Sequence, residues 1–331
     1  MHKTFIIAEI GVNHNGKLKL AQKLIIEAKK AGADCVKFQT FNTDELVTKW
    51  SPKAEYQNKK DKKTNQYQML KKYELSYKEQ IQLKKFCRKK KIEFLSSAFS
   101  LSDINFLKKI KLKKFKIPSG EITNYFYLKK IGSMNKTTLL STGMANLDEI
   151  SAAIRLLISS GLQRKKLIIL HCISEYPTSL NKLNLNFIRT LKNKFKLQVG
   201  LSDHSKSLIV PAIAVSLGAK IIEKHLTLNS NMNGPDHTSS LNPTEFKKMV
   251  MNIRETEMTL GKNDKVISHT EMKNKRVVRK SLVAKKEIKI GQIIKLNDLN
   301  FKRPGNGISP MDYKKVIGKK SKKNYKKDDL I

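Results

Sequence analysis

What most limits the fold of this chain is a regular alternation of short apolar runs with amphipathic stretches, repeated from Phe5 to Lys224. Phe5-Ile6-Ile7-Ala8 opens it, followed by a turn-rich segment from Gly11 to Gly16 and a helical pattern from Leu18 to Ala31 that Gly32 ends. Asp34 to Gln39 reads as the next buried strand. A strand, a helix and a second strand imply parallel pairing through a right-handed crossover. The same unit recurs, with strands expected at Glu93 to Ser96, Lys114 to Ile117, Thr138 to Ser141, Leu167 to His171, Gln198 to Leu201 and Lys220 to Lys224. Eight candidate strands at this spacing fit an α/β fold of the (β/α)8 TIM-barrel type better than an open doubly wound sheet. No glycine-rich dinucleotide fingerprint follows the first strand.

Barrel enzymes build their sites at the C-terminal ends of the strands, and here nearly every expected strand ends in polar residues with chemical uses. The first gives Glu9, the second Lys37 and Gln39, and the fourth Lys116, Ser119 and Glu121. The fifth gives Ser141, the sixth Tyr176, the seventh Ser202, Asp203 and His204, the eighth His225. A lysine inside an apolar strand is costly unless it is paired with an anion. Lys37 and Lys116 on one rim, beside serine hydroxyls, therefore suggest a phosphate or carboxylate cradle, although a structural ion pair would account for either one alone. His204 and His225, each at a strand end, suit a sparse metal site with open positions, against the plainer reading of two core histidines.

The chain carries 67 Lys+Arg against 28 Asp+Glu, a formal charge of +39. Such an excess raises nucleic acid or an anionic membrane as partner. The lysines are instead spread along solvated helix faces (Lys84, Lys85, Lys89, Lys90, Lys91, Lys247, Lys248) with no interleaved aromatic readers, so neither partner is expected. The excess would assist capture of small anions. Cys35, Cys87 and Cys172 form no C-x-x-C pair, which argues against a disulfide framework or a cysteine zinc site. Met1 to Ile10 leads directly into a strand-like run, and no apolar stretch approaches the roughly 18–20 residues of a membrane span, so a cytoplasmic protein is expected. The polar segment from Thr43 to Lys72, with Trp50, Tyr56 and Tyr67, is long enough to overhang the catalytic face as a lid or subunit contact. After Gly261 the pattern changes to short runs punctuated by glycine and proline. The expected organisation is a barrel over 1–262, a polar linker over 263–276 and a compact, mostly β module over 277–331 with little core of its own.

The motifs at the strand ends resemble those of the bacterial sialic acid synthase family, which includes the N-acetylneuraminate, legionaminic and pseudaminic acid synthases. The resemblance lies in Glu9-Ile10-Gly11-Val12-Asn13-His14-Asn15-Gly16, Val36-Lys37-Phe38-Gln39-Thr40-Phe41 and Lys116-Ile117-Pro118-Ser119-Gly120-Glu121. It continues through Leu140-Ser141-Thr142-Gly143-Met144, His171-Cys172, Glu175-Tyr176-Pro177, Gly200-Leu201-Ser202-Asp203-His204, Glu223-Lys224-His225, Gly234-Pro235-Asp236 and Lys302-Arg303-Pro304-Gly305-Asn306-Gly307. The motifs occur in family order over essentially the whole chain. The resemblance implies a barrel followed by a C-terminal SAF (antifreeze-like) domain in a domain-swapped homodimer. It also implies condensation of phosphoenolpyruvate with an N-acetylated amino sugar in its open aldehyde form. The acceptor expected is N-acetylmannosamine, with 2,4-diacetamido-2,4,6-trideoxymannose as the alternative.

By the same resemblance Lys37, Lys116, Ser119, Ser141 and Ser202 hold the phosphoenolpyruvate anion, with Ser174 near it and Glu121 counted among the substrate contacts. His204 and His225 bind a divalent metal, Mn2+ or Mg2+. Glu9 positions the attacking water or the aldehyde, Gln39, Tyr176 and Asp236 contact the sugar, and Arg303 reaches its N-acetyl group across the dimer. Ser96-Ser97-Ala98-Phe99 and Ser179-Leu180 depart from the family's usual residues, in the loops around the third and sixth strands.

Overall fold

A computed structural model describes residues 3–55, 57, 64–262 and 264–331. Tyr56, singled out in the long polar segment, lies outside them. Two compact units divide the chain, Met1–Gly261 and Lys262–Ile331.

The first unit is a closed barrel of eight parallel strands in sequence order. They are β1 (Phe5–Gly11), β2 (Cys35–Thr40), β3 (Glu93–Ala98), β4 (Lys114–Ile117), β5 (Thr137–Ser141), β6 (Leu167–Cys172), β7 (Gln198–Asp203) and β8 (Ile221–His225). The barrel expectation holds, and β8 closes on β1 with Glu9 opposite His225. Several strands run further than expected at their C-terminal ends, β1 to Gly11, β3 to Ala98 and β7 to Asp203. The added stretches include the polar residues Glu9, Ser97 and Ser202, and in a closed barrel such residues can point inward and keep the ladder intact.

Helices α1 (Leu18–Lys30), α2 (Thr43–Leu46), α3 (Gln66–Lys71), α4 (Tyr77–Lys89), α5 (Leu101–Lys109), α6 (Tyr125–Ser133), α7 (Leu147–Ser159), α8 (Phe187–Phe195), α9 (Val210–Ser216) and α10 (Pro243–Leu260) accompany the strands. In α1 the buried residues Ala21, Leu24, Ile25 and Ala28 fall on one stripe at helical spacing. Each large member of such a stripe contributes about 1.5–3 kcal/mol by burial. Ser76, Asn146 and Asn242 start α4, α7 and α10 with reciprocal capping boxes. The polar segment after β2 is not a plain loop, since α2 and α3 lie within it. Asn42 and Asn65 cap these two helices.

Side chains alternate across each strand, and this alternation positions the site. The outward residues of the strands join the helices in one large core. The inward residues form two layers. Ile7, Cys35, Leu95, Leu139, Ile168, Leu170 and Ile221 make a separate apolar plug in the barrel's lower half. Two residues further along, the same inward faces carry Glu9, Lys37, Ser97, Ser141, Cys172 and Glu223.

The second unit pairs β9 (Ser281–Ala284) antiparallel with β10 (Leu299–Lys302). Leu282, Ala284, Ile288, Ile294, Leu299, Val316 and Tyr325 form its small core. The stretch 263–276, expected as a linker, contains most of helix α11 (His269–Val278). Ser268 and Glu271 form its capping box, and none of its residues is buried. Among the described residues no helix is long and apolar enough to cross a membrane.

One polar pair lies on the outer face of the barrel wall. Lys224 Nζ stands 2.6 Å from Asp203 Oδ2, with both side chains fully buried. Burial pushes the lysine below its ordinary value while Asp203 opposes the shift. Lys224→Met strands the carboxylate and is expected to lower the unfolding free energy by about 3–5 kcal/mol. Adding Asp203→Leu should recover most of that loss, read as the midpoint of urea denaturation. Equal midpoints for the single and double variants would show that the stranded charge is not the cause.

Candidate active site

At the C-terminal end of the barrel a cavity of ≈330 Å³ is lined by Glu9, Lys37, Gln39, Ser97, Phe99, Lys116, Ser119, Ser141, Cys172, Ser174, Tyr176, Ser202, His204, Glu223, His225 and Asp236. Twelve of the residues expected from the sequence therefore converge: Glu9, Lys37, Gln39, Lys116, Ser119, Ser141, Ser174, Tyr176, Ser202, His204, His225 and Asp236. Glu121 is not among the lining residues. It ends the 3-10 turn Ser119–Glu121 and accepts a 2.7 Å hydrogen bond from Asn124, the N-cap of α6. Asp203 is adjacent to two site residues in sequence but points outward to Lys224. Arg303 belongs to the second unit, at the Arg303-Pro304 cis bond. A larger groove of ≈870 Å³ opens near the start of β3, lined by Lys84, Arg88, Ile110 and Lys113 among others. It lacks the convergence of acids, histidines and hydroxyls found at the other end.

Four buried charges make the floor. Lys37 Nζ lies 2.8 Å from Glu9 and 3.9 Å from Glu223, and donates to Ser97 Oγ at 3.2 Å. Lys116 Nζ donates to both Glu223 oxygens, at 2.8 and 3.1 Å, and Ser202 Oγ donates to Glu223 Oε1 at 2.9 Å. Glu223 was quoted among the sequence motifs and given no role. Its signal was the period of two, because it shares an inward face with His225 two residues on. The environment drives the two carboxyls apart. Burial works against ionisation of Glu223, but Lys116 and Lys37 overcome it and bring its pKa down to about 2. Burial pushes Glu9 up to about 7, with Lys37 opposing and Glu223 adding to the rise. One acid thus stays charged while the other can gain or lose a proton near neutrality. Asp236 is likewise raised by burial, to about 6.

The hydroxyl side of the cavity is built by close approach. Gly143 N–H donates to Ser119 Oγ at 3.1 Å, and a Cβ on Gly143 would come within 2.7 Å of that oxygen and 2.3 Å of Ser174 Oγ. Only glycine lets this turn approach both serines. Ser141 Oγ is buried without a hydrogen-bond partner. Two lysines with unfilled donor capacity beside these hydroxyls have the chemistry of a receptor for an anion.

His204 and His225 face each other with ring centroids 5.5 Å apart, and Tyr176 stacks on His204 at 4.1 Å. His204 Nδ1 lies 2.7 Å from the Ile173 carbonyl, so it carries the proton and Nε2 is left with its lone pair. His225 Nδ1 is buried without a hydrogen-bond partner, 4.0 Å from Asp236. Burial, with the positive charge of Lys37 adding to it, holds His225 well below the ordinary imidazole value, hence neutral. Among the described residues no group of three histidine, cysteine or acidic side chains is arranged around one metal position. Two imidazoles with available lone pairs fit a cation that completes its shell with other oxygens.

Residues 24–265 match the NeuB family model and residues 279–331 the SAF domain. The chain belongs to the NeuB family. It is 49% identical to the N,N'-diacetyllegionaminic acid synthase of Campylobacter jejuni, over 100% of this chain and 99% of that protein. The Legionella pneumophila enzyme of the same name is 42% identical, over 97% and 91%. Among solved structures, the N-acetylneuraminic acid synthetase of Leptospira borgpetersenii, in complex with citrate, is 34% identical. It superposes with a TM-score of 0.73 over 82% of this chain and 90% of that one. Both the barrel and the SAF domain of the sequence reading are thus those of NeuB-family proteins.

Lys116→Met should weaken binding of a small phosphate-bearing carboxylate such as phosphoglycolate by about 10- to 100-fold, the worth of one charge-assisted hydrogen bond. Calorimetric titration measures it. Unchanged affinity would remove Lys116 from the anion receptor.

Proposed function

We propose that this chain condenses phosphoenolpyruvate with 2,4-diacetamido-2,4,6-trideoxymannose and water, giving N,N'-diacetyllegionaminate and phosphate. The observation that carries the reading is identity of 49%, over the full length, to a diacetyllegionaminic acid synthase, set against 34% to a sialic acid synthetase. N-acetylmannosamine, the acceptor first expected from the sequence, gives way to the alternative on this ground.

The site supports the chemistry. Lys37 and Lys116 neutralise the carboxylate and phosphate of phosphoenolpyruvate, and Ser119, Ser141, Ser174 and Ser202 orient them. The enol carbon attacks the aldehyde carbon, the aldehyde oxygen takes a proton from water, and the remaining hydroxyl adds at carbon 2. Phosphate then leaves by cleavage of its bond to carbon 2, taking the proton of the added hydroxyl as that carbon becomes a ketone. Glu9, with a pKa near 7, is suited to hold the water and pass its proton. Gln39, Tyr176 and Asp236 contact the sugar. A divalent cation, Mn2+ or Mg2+, held by His204 and His225, supplies Lewis-acid polarisation of a carbonyl oxygen when bound. The reading also assigns the sugar's 2-acetamido group to Arg303 of the partner subunit in a domain-swapped homodimer.

Purified protein given phosphoenolpyruvate and each sugar in turn should release phosphate with a kcat/KM at least about tenfold higher for the diacetamido sugar. A preference for N-acetylmannosamine would overturn the acceptor, and release that ignores both sugars would overturn the reaction. His204→Ala should abolish condensation with the far-UV circular dichroism unchanged, because the residue sits at the rim and not in the packed interior. Chelation should have the same effect. Full turnover by metal-free protein would rule out the cation.

A further inference from the structure

A second cavity of ≈220 Å³ adjoins the first and shares three of its walls, Gln39, Phe99 and Asp236. Most of its remaining lining is apolar, Phe41, Leu46, Val47, Met69 and Leu70 included, and its other polar side chains are Gln57, Gln66 and Tyr73. These side chains come from β2, from the turn after it and from α2 and α3. The annex is firmly held. Asn65 closes a capping box on α3, Tyr67 donates to Asp44 of α2 at 2.5 Å, and Lys71 pairs with the same carboxylate at 3.0 Å. Phe41 and Phe99 meet edge to face at 6.2 Å, and Phe41 and Met69 are buried.

Placement decides what this space receives. Lys116, Ser119, Ser141, Ser174 and Ser202, which form most of the anion receptor, come from β4 to β7 and the turns after them. The shared wall comes from β2 and the segments after β3 and β8, across the mouth. An acceptor whose aldehyde meets the anion's reactive carbon must extend its other end away from the receptor. That direction leads past Gln39, Phe99 and Asp236 into the annex. We infer that this annex binds the end of the acceptor remote from the aldehyde, and that Leu46, Val47, Met69 and Leu70 select a 6-deoxy sugar over its 6-hydroxy counterpart. The inference rests on the proposed condensation and names what sets its choice of acceptor. A terminal methyl entering this wall loses only water contact, whereas a hydroxymethyl group forfeits its hydrogen bonds to water and finds few replacements. Gln66 and Gln39 remain as partners for an acetamido group on carbon 4.

The test compares 2,4-diacetamido-2,4,6-trideoxymannose with 2,4-diacetamido-2,4-dideoxymannose, which differ by one hydroxyl on carbon 6. The full chain should favour the deoxy sugar in kcat/KM by about 10- to 100-fold, the range for a hydroxyl offered to an apolar pocket. Leu70→Gln and Val47→Thr should each reduce that ratio by about tenfold, with the KM for phosphoenolpyruvate unchanged. Each ratio is taken on one protein preparation, so partial loss of folded protein cancels. Val47→Thr keeps the shape of the wall and adds only a hydroxyl, and it decides the matter if Leu70→Gln turns over neither sugar. An unchanged ratio in Val47→Thr overturns the inference. So does a wild-type protein that uses both diacetamido sugars equally, and in that case the proposed reaction stands. If the wild type uses neither, the reaction fails and the inference falls with it.

Discussion

The site depends on a lattice of four buried charges supplied by β1, β2, β4 and β8. Glu9 and Glu223 face Lys37 and Lys116, each almost wholly withdrawn from water. Any one of these groups alone would carry a desolvation cost of several kcal/mol, and none is tolerable without the others. The lattice is neutral when both acids are ionised, and it is asymmetric: Glu223 binds Lys116 through both oxygens and receives Ser202, whereas Glu9 is held by Lys37. That asymmetry keeps Glu223 charged and leaves Glu9 able to gain or lose a proton near neutrality. Each lysine also keeps hydrogen-bonding capacity for an incoming anion.

How much of this was legible in the sequence varies with the physics behind each feature. The barrel was legible because eight strand-helix units impose their pattern on the whole chain. Most of the site was legible because a lysine or histidine at the end of an apolar strand stands out against its neighbours. Glu223 did not stand out, since one carboxylate beside Lys224 looks like a surface pair until the inward and outward faces are separated. That separation sends Lys224 to Asp203 on the outside and Glu223 to Lys116 within. Glu121, read with Ser119 at the end of the fourth strand, lies in a 3-10 turn outside the cavity lining and accepts a hydrogen bond from Asn124. The helices α2 and α3 were obscured by their shortness, although Asn42 and Asn65 are ordinary cap residues. The Ser268 and Glu271 capping box in the stretch expected as a linker was a readable signal passed over. The acceptor was the least legible feature, because none of the strand-end motifs separates the two candidate sugars.

The charge of +39 has two separate components. Lys85, Lys89, Lys91, Lys247 and Lys248 lie exposed on or beside α4 and α10 and set the long-range field, which favours the approach of small anions. Lys37, Lys116 and Lys224 are buried, and each has an acidic partner within 3 Å. The first group bears on encounter, and the second on what happens after it.

The apolar plug beneath the charged floor makes the barrel a well with a single mouth. Lys37 stands one inward step above Cys35 on β2 and Lys116 lies level with Leu139 of β5, while Gln39, Phe99 and Asp236 line both the main cavity and the annex. On the proposed reaction, whatever occupies the floor passes the space that the second reactant fills. For a reaction with two substrates this imposes a sequence of arrival: the small anion first, the larger molecule as a stopper above it, and departure in the reverse sense. If the proposed condensation runs in this well, the packing that closes the barrel's lower end is also what orders binding, with no moving part needed to enforce it.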